Sequence, residues 1–418
     1  MSSVALFVGL DYHDDEVQVC ALDADGRVVL NRKCANSAAA IQAAVDARGQ
    51  VRRAAIESCC GAANLADELI LRGKWPVQLA HPGFVARMKK SPDKTDRQDA
   101  QLLADLVRVD YLPQVWLAPE DVRQLRRLVR FRQQLVDERR NVKLRIRALA
   151  REKRLKCPLT ATPWTKAWIA WLRGDASWSA DDRWILDQQF EHLTQLSAKI
   201  TAAEKRLSER VDDDPLVKKL LSLDGVGLIT AVMIRAEIGR IDRFQNGKQL
   251  SRFCGLTPRN VSSGQRQADA GLIRAGNPQL RAVLIELAQR LLWTGGKDGP
   301  SRWQTLGHHL KSRGKPHNVV VAAVANRWVR WLFHEVQRPL APAVAHATIE
   351  INTAIETNAT LETNATIEVN TAIEVNARSA PKTKPDDLRS GSTKGAPPLP
   401  SSPPPRPTPS GRVRPRRR

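Results

Sequence analysis

Short apolar runs and helical patterns alternate through the first 110 residues, and this order constrains the fold more than any other feature of the chain. Three extended segments come first, and a turn at Asp25-Gly26 joins the second to the third. Helical and extended segments then alternate as far as a helix near residue 100. The order β-β-β-α-β-α-β-α predicts an α/β domain in which helices flank a mixed sheet.

Acidic residues lie at the ends of these segments. Asp11 ends the first predicted strand, and Glu57 ends the fourth. Asp96 and Asp99 are three residues apart on the helix that follows the fifth strand, so they share one face of that helix. For this pair alone, solvent-exposed helix charges or an N-terminal cap at Asp96 would be sufficient explanations.

The four acids come together if the sheet is RNase H-like, because its first and fourth strands are then neighbours and its last helix packs across their ends. Clustered carboxylates raise one another's pKa values, which is unfavourable without a cation. Mg²⁺ prefers oxygen ligands and leaves room for phosphate and water, and a pair of such ions assists phosphoryl transfer. The sequence therefore predicts a magnesium site, with Asp14 and Asp15 just outside it.

The chain is strongly basic, with 66 Lys and Arg against 44 Asp and Glu and a formal net charge of +22. This excess indicates a polyanionic partner, usually nucleic acid, although ribosomal and membrane-surface proteins share it. The N-terminal apolar run is too short for a signal peptide, and no window approaches the roughly 18 apolar residues of a membrane span. The six cysteines form no CxxC pair and no zinc-type spacing, which is typical of reduced thiols. We expect a cytoplasmic protein with no membrane partner.

Residues 113–212 change to a heptad pattern. Apolar side chains recur every seven residues at Leu128, Leu135, Val142 and Leu149, and again at Leu186, Leu193, Ile200 and Leu207. Two such helices predict a long antiparallel coiled-coil hairpin or a dimerising coiled coil, with the second heptad stretch as the dimer seam.

The first of these helices is basic. Residues 119–156 contain 14 Lys or Arg against 5 Asp or Glu, and Arg132 and Arg139 interrupt the second apolar seam. Because a purely structural coiled coil balances its charges better, this excess favours a surface that faces nucleic acid.

Residues 213–340 predict an all-α domain. A Gly225-Val226-Gly227 turn between two apolar helices is typical of a helix-hairpin-helix, whose backbone amides contact phosphate without reading sequence; a plain tight turn is the alternative. From residue 341 the globular pattern ends. Five imperfect hexads at 347–376, then 11 prolines and a final RVRPRRR, predict a low-complexity, disordered tail.

Six stretches of the chain resemble one family. They are VGLDYHDDEVQVCALD, AAIESCCGAANLADEL, KTDRQDAQLLADL, LDGVGLITAVMIRAEIGRIDRF, LSRFCGLTPRNVSSGQ and GLIRAGNPQLRAVL. In these stretches, which keep the family's order over about residues 4–336, the chain is similar to the IS110-type transposases of insertion sequences. Those enzymes combine an N-terminal RuvC-like DEDD domain with a C-terminal serine domain. The resemblance implies a RuvC-like domain at residues 1–112 and cleavage and joining of DNA strands as the activity.

The resemblance also implies the site residues. Asp11, Glu57, Asp96 and Asp99 would be the metal-binding acids. A serine of the SSG segment would attack the DNA backbone and form a covalent phosphoserine intermediate, with Ser263 as the first choice and Ser262 as the second. A hydroxyl on a Gly-flanked loop beside cations suits this chemistry, whereas a surface turn is the alternative that the residues alone favour.

Four arginines near these serines are candidates for binding the phosphate: Arg259, Arg266, Arg274 and Arg281. Relatives commonly carry Ser/Thr-Lys where this chain has Ile273-Arg274, a difference that keeps the positive charge.

The resemblance further implies the partners. They are donor and target DNA and a structured noncoding guide RNA that pairs with both. Members of the family work as dimers that pair into tetramers, and one active site takes its acids and its serine from different subunits. The implied location is bacterial cytoplasm, in association with the nucleoid during activity.

Two other functions fit parts of the sequence. A metal-dependent nuclease of the Holliday-junction resolvase kind would use the same acids with water as the nucleophile, and would leave no protein joined to DNA. A catalytically inactive DNA- or RNA-binding protein would tolerate the loss of Asp11.

Overall fold

A six-stranded sheet forms the N-terminal part of the chain, in a computed structural model that describes residues 4–89, 95–157, 162–175, 177–260, 269–293 and 299–337. Its strands are β1 (Ala5–Tyr12), β2 (Glu16–Leu22), β3 (Val28–Ala35), β4 (Gln50–Glu57), β5 (Val77–Ala80) and β6 (Gln114–Val115). Their order across the sheet is β3-β2-β1-β4-β5-β6. The first strand is parallel to the fourth and the fourth to the fifth, while the other neighbours are antiparallel. The predicted mixed α/β domain is confirmed.

One face of the sheet packs against α1 (Ala38–Asp46) and α2 (Ala62–Gly73). Alternate residues of β1 supply this face, because successive side chains of a strand point to opposite sides. Leu6, Val8 and Leu10 are completely buried in the resulting core.

The opposite face packs against α4 (Asp96–Arg108). Leu103 and Val107 of this helix are buried in one cluster with Ala55 of β4. The short helix α3 (Pro82–Met88), which the sequence analysis did not predict, adds Val85 to the same cluster. The helix with the paired acids therefore covers the side of the sheet opposite to α1 and α2.

Two long helices follow, α5 (Glu120–Glu152) and α7 (Ala180–Val211), with α6 (Lys166–Gly174) between them. They run antiparallel, since Arg132 near the middle of α5 bonds to Glu204 near the end of α7, and Lys153 just after α5 pairs with Asp182 at the start of α7. Of the two predicted arrangements, an antiparallel hairpin or a dimerising coiled coil, the described residues form the hairpin.

The structure contradicts the expected dimer seam and removes Arg132 from the basic surface predicted along α5. Leu186, Ile200 and Leu207 are buried within the chain itself, so they are not available as a dimer seam. Arg132 is only 5% exposed and donates to Glu204 Oε1 at 2.8 Å, so it holds the hairpin together and does not face nucleic acid. Sequence periodicity detects an apolar stripe, but the surface that the stripe meets is decided by folding.

The C-terminal region is mainly helical and shares one core with the first half of α5. Its helices are α8 (Pro215–Leu221), α9 (Leu228–Ile238), α10 (Gly247–Phe253), α11 (Pro278–Trp293), α12 (Arg302–Ser312) and α13 (His317–Gln337). Val232, Leu284 and Trp328 are among its buried residues. In the turn between α8 and α9, Gly225 has a φ of +74°, a conformation that favours glycine.

The predicted helical character of the C-terminal region is confirmed, but the region is not all-α, because two short strands interrupt the helices. β7 (Pro258–Asn260) and β8 (Asp269–Leu272) pair in antiparallel fashion. Strands of three and four residues are too short to show the alternation that identifies a strand in a sequence.

The described residues separate into two units: the larger one lies within 4–156 and 172–337, and the smaller one lies within 157–171. In the described part of the second unit, the rings of Trp164 and Trp168 lie 4.8 Å apart, and those of Trp168 and Trp171 lie 6.2 Å apart. No helix in the described residues is long and apolar enough to cross a membrane.

Candidate functional site

Asp11 and Glu57 lie side by side at the ends of two neighbouring strands. Leu10 of β1 is the partner of Ile56 of β4 in the parallel register, and the two acids are the next residues along these strands. Leu10 and Ile56 are fully buried on the α1 and α2 side. Alternation therefore turns both acids toward the face that α4 covers.

Gly9 allows α4 to approach this face closely. A Cβ at Gly9 would lie 1.9 Å from the carbonyl oxygen of Ala100 and 2.5 Å from the amide nitrogen of Ala104. No side chain fits there, so the backbones of β1 and α4 are in direct contact. Gly9 is two residues before Asp11, on the same face of the strand, and the contact therefore places the first turn of α4 beside Asp11.

Asp96 and Asp99 both lie in that first turn. Thr95 caps the helix by accepting a hydrogen bond from the amide of Gln98, so Asp96 is the first helical residue and not the cap. The alternative explanation for Asp96 as an N-terminal cap does not hold.

His13 joins Asp11 and Asp96 in one cluster. Its Nε2 lies 3.3 Å from Asp11 Oδ2 and 3.5 Å from Asp96 Oδ1. One atom from each of these three residues lies within 4.8 Å of the others, a spacing that can hold a metal ion. The sequence analysis missed His13, although a residue two positions after Asp11 in an extended chain shares its face.

The carboxyl of Asp11 is affected by burial and by three neighbouring charges. Burial raises the pKa of Asp11, the neighbouring His13 lowers it, and the carboxylates of Asp99 and Asp96 add to the increase. Its Oδ2 atom is buried and has no hydrogen-bond partner among the described residues, although His13 Nε2 is close. A buried carboxylate oxygen without a donor, in a set of oxygen and imidazole ligands, fits a divalent cation.

Asp99 is bound to a lysine. Lys89, one residue after α3, places its Nζ 2.7 Å from both carboxylate oxygens of Asp99. Asp99 is only 8% exposed, so its charge is neutralised largely out of contact with water. No signal in the sequence connects Lys89 to Asp99, because their contact depends on how α3 packs beside α4.

Cys59 lies two residues after Glu57, and both Glu57 and Asp11 affect the pKa of its thiol. Burial raises the pKa of the Cys59 thiol, and the carboxylates of Glu57 and Asp11 raise it further. Both carboxylates therefore act on one position just past the end of β4.

Asp14 and Asp15 are exposed in the turn after β1. Among the described residues the metal-type cluster consists of Asp11, His13 and Asp96, so it includes two of the four predicted acids and leaves out Glu57 and Asp99.

The predicted serine segment is only partly described. Ser262, Ser263 and Arg266 lie within 261–268, outside the described residues. Arg259 on β7 and Arg274 after β8 are exposed on the two sides of that segment.

Arg281 of α11 is half-buried. Its Nε and Nη2 atoms have no hydrogen-bond partner among the described residues, and a Cβ at Gly255 would lie 2.5 Å from Nη2. Its guanidinium therefore packs against the backbone at Gly255, in contrast to the exposed Arg259 and Arg274.

Comparison with known proteins matches two family models. Residues 8–153 match the DEDD transposase model of IS110, and residues 217–304 match the transposase model of the IS116/IS110/IS902 family. Three similar proteins are 27–28% identical to this chain. The transposase for insertion sequence element IS1111A of Coxiella burnetii aligns over 78% of this chain and 88% of its own length. The probable family 20 transposase of Pseudomonas aeruginosa aligns over 79% and 96%, and the transposase for insertion sequence element IS1328 of Yersinia enterocolitica over 66% and 81%.

Proposed function

We propose that this chain, which belongs to the IS110 family of transposases, cuts and rejoins DNA strands with a magnesium-binding acidic site and a serine nucleophile. Its activity as a transposase, an enzyme that acts on DNA, follows from the family. The observation that carries the metal part is the meeting of Asp11, His13 and Asp96, whose ligand atoms lie within 4.8 Å of one another.

The four acids would hold the ion. Asp11 and Glu57 come from strand ends that the sheet holds in register, and Asp96 and Asp99 from a helix turn that Gly9 keeps close. His13 is placed to complete the set. Mg²⁺ is the ion that suits carboxylate ligands and phosphate chemistry, and when bound it stabilises charge on the attacking and leaving oxygens.

Ser263, or in second place Ser262, would be the nucleophile. Its hydroxyl oxygen forms the bond to phosphorus, a deoxyribose oxygen leaves, and the serine proton passes to that leaving oxygen. Rejoining reverses these steps with a new strand end. Arg259, Arg266, Arg274 and Arg281 would neutralise the phosphate, with the exposed Arg259 and Arg274 best placed to do so.

The partners would be donor DNA, target DNA and a structured guide RNA. Basic side chains on the outer faces of α5, such as Arg127 and Arg140, are 62% and 69% exposed and suit binding to phosphates rather than to base edges. Contacts with phosphates do not distinguish sequences, so the choice of target sequence would come from base pairing with the guide RNA. A homodimer that pairs into a tetramer would bring the serine of one subunit to the acids of another.

Covalent trapping tests this proposal. The purified protein is incubated with Mg²⁺, guide RNA and end-labelled donor DNA, and the products are separated under denaturing conditions. We expect a labelled protein–DNA adduct that Ser263→Ala abolishes and Ser262→Ala retains, while Ser301→Ala, a serine that caps α12, serves as the matched control. Cleavage without any adduct would instead establish the resolvase-type reaction with water as nucleophile.

A further inference from the structure

Lys89 occupies both oxygens of an acid that the proposed metal site needs. Its Nζ is 2.7 Å from Oδ1 and 2.7 Å from Oδ2 of Asp99. The side chains are 26% and 11% exposed, so this ion pair is largely shielded from water. Such a pair is stronger than the exposed pairs that proteins form on their surfaces.

Apolar packing also holds α3 in place. Val85 of that helix is 1% exposed and packs in the apolar cluster under α4. Lys89 lies just after the helix, where the chain is extended, and its side chain reaches to Asp99 in the first turn of α4. Lys89 therefore contacts Asp99 from a position outside α3.

Lys33, the other lysine near the acids, behaves differently. It lies 3.9 Å from Asp96 Oδ2, is 53% exposed and bonds to Glu16. It touches the edge of the cluster without covering either oxygen of Asp96 at bonding distance. Lys89 is thus placed directly on both oxygens of a proposed metal ligand.

A metal ion and the ammonium group would compete for the oxygens of Asp99 in this geometry. Mg²⁺ binds carboxylate oxygens at about 2.0–2.1 Å and carries two positive charges, so an ammonium on both oxygens of the same group competes with it. Binding of the ion at Asp99 requires Lys89 to move away, and the free energy of breaking the ion pair is subtracted from the affinity for the metal.

We infer that Lys89 is a positioning residue that occupies the Asp99 ligand position in the metal-free protein and is displaced when a divalent cation binds. The inference rests on the proposed magnesium site. The ammonium neutralises Asp99 and keeps the clustered acids stable in the absence of metal, and it lowers the affinity of the site for the ion. Loading then depends on the free Mg²⁺ concentration.

Titration calorimetry with Mg²⁺ alone, on the full chain without nucleic acid, tests the inference. Lys89→Gln removes the competing ammonium group. We expect this variant to bind Mg²⁺ roughly tenfold more tightly than the wild type, a difference of about 1.4 kcal/mol in binding free energy. In Lys89→Arg, the rigid guanidinium fork matches the carboxylate and stays charged, so we expect weaker binding than in the wild type. Arg87→Gln removes the same charge from an exposed position on α3, two residues before Lys89, and should leave the affinity unchanged.

Thermal unfolding in EDTA gives a second measurement. Without metal, Lys89→Gln should unfold at a lower temperature than the wild type, because the buried Asp99 loses its counter-charge, and saturating Mg²⁺ should raise its melting temperature by more than it raises that of the wild type. Lys89→Arg should stay folded and show the smaller rise, so the comparison remains decisive even if Lys89→Gln folds poorly.

The outcomes separate the inference from the proposed function. Equal Mg²⁺ affinity in the wild type, Lys89→Gln and Lys89→Arg, together with weaker binding in Asp99→Asn, would overturn the role of Lys89 and leave the metal site intact. If Asp99→Asn and Asp11→Asn bind Mg²⁺ as the wild type does, the acidic metal site itself is wrong, and the inference falls with it.

Discussion

Gly9 of β1 faces Ala100 of α4 so closely that a single added methyl group would lie 1.9 Å from the carbonyl oxygen of Ala100. This contact between two backbones sets the distance from the sheet to the helix. The acids at the end of the strand and in the first turn of the helix depend on it, because each lies within four residues of the contact.

Gly9→Ala should therefore damage both stability and activity. The added methyl must push α4 away from β1, and overpacking of this kind costs about 1–3 kcal/mol in free energy of unfolding. Asp96 and Asp99 move with the helix, so DNA cleavage should fall by more than the loss of folded protein explains. Urea denaturation and a cleavage assay at matched folded concentration measure the two effects.

Gly174→Ala is the control for this change, because a Cβ at Gly174 has no atom within 4 Å. It should leave cleavage unchanged. Full activity in Gly9→Ala would show that the acids do not need this close packing.

Asp11→Asn should raise the stability of the metal-free protein and lower its DNA cleavage activity. The substitution removes a buried negative charge that Asp96 and Asp99 repel, so the melting temperature in EDTA should rise. Cleavage should fall by more than the roughly 100-fold that loss of an outer partner of a metal ligand can cost. Asp14→Asn, in the exposed turn three residues later, should change neither quantity. Wild-type cleavage by Asp11→Asn would remove this acid from the site.

The stability of the metal-free protein should depend on pH through Asp11. Its pKa in the folded protein is raised above the ordinary value of 3.8, chiefly by burial. The folded state therefore binds the proton more tightly than the unfolded state, and the resulting stability is present below that value and is lost as the pH rises through the raised pKa.

Urea denaturation in EDTA, from about pH 4 to about pH 7, measures this dependence. The free energy of unfolding of Asp11→Asn, which cannot ionise, should increasingly exceed that of the wild type as the pH rises. A difference that stays constant over this range would mean that Asp11 titrates normally.

Glu237 should be critical for the stability of the C-terminal region. This residue of α9 is 2% exposed and accepts two hydrogen bonds from Arg130 of α5, at 2.8 and 2.9 Å, and one from Asn277 at 2.7 Å. Glu237→Ala should cost about 3 kcal/mol, at the lower end of the cost of breaking a buried ion pair because Arg130 is half exposed.

Chemical denaturation measures this loss, with Glu209→Ala as the matched control. Glu209 is 53% exposed and lies 3.7 Å from Arg206, and such surface pairs contribute roughly 0–1 kcal/mol. Equal effects of the two substitutions would show that the network around Glu237 does not stabilise the fold.

Much of the N-terminal domain could be predicted from the sequence. The alternation of apolar residues, the helix periodicity and the turn at Asp25-Gly26 are properties of neighbouring residues, and they predicted five strands and three helices in the correct order. The acids at the ends of β1 and β4 were located in the same way. The two-residue strand β6 and the short helix α3 are too brief to produce such a pattern.

The sequence by itself determined which segments become strands and helices and where the acids lie along them, because these are local properties of the chain. Only the tertiary structure decided that His13 lies between Asp11 and Asp96, that Lys89 covers Asp99, and that Arg132 is buried against Glu204. Each of these contacts is set by the packing of side chains from separate elements, and its distance depends on contacts such as that of Gly9 with Ala100. Periodicity along one segment carries no information about the segment that it will meet.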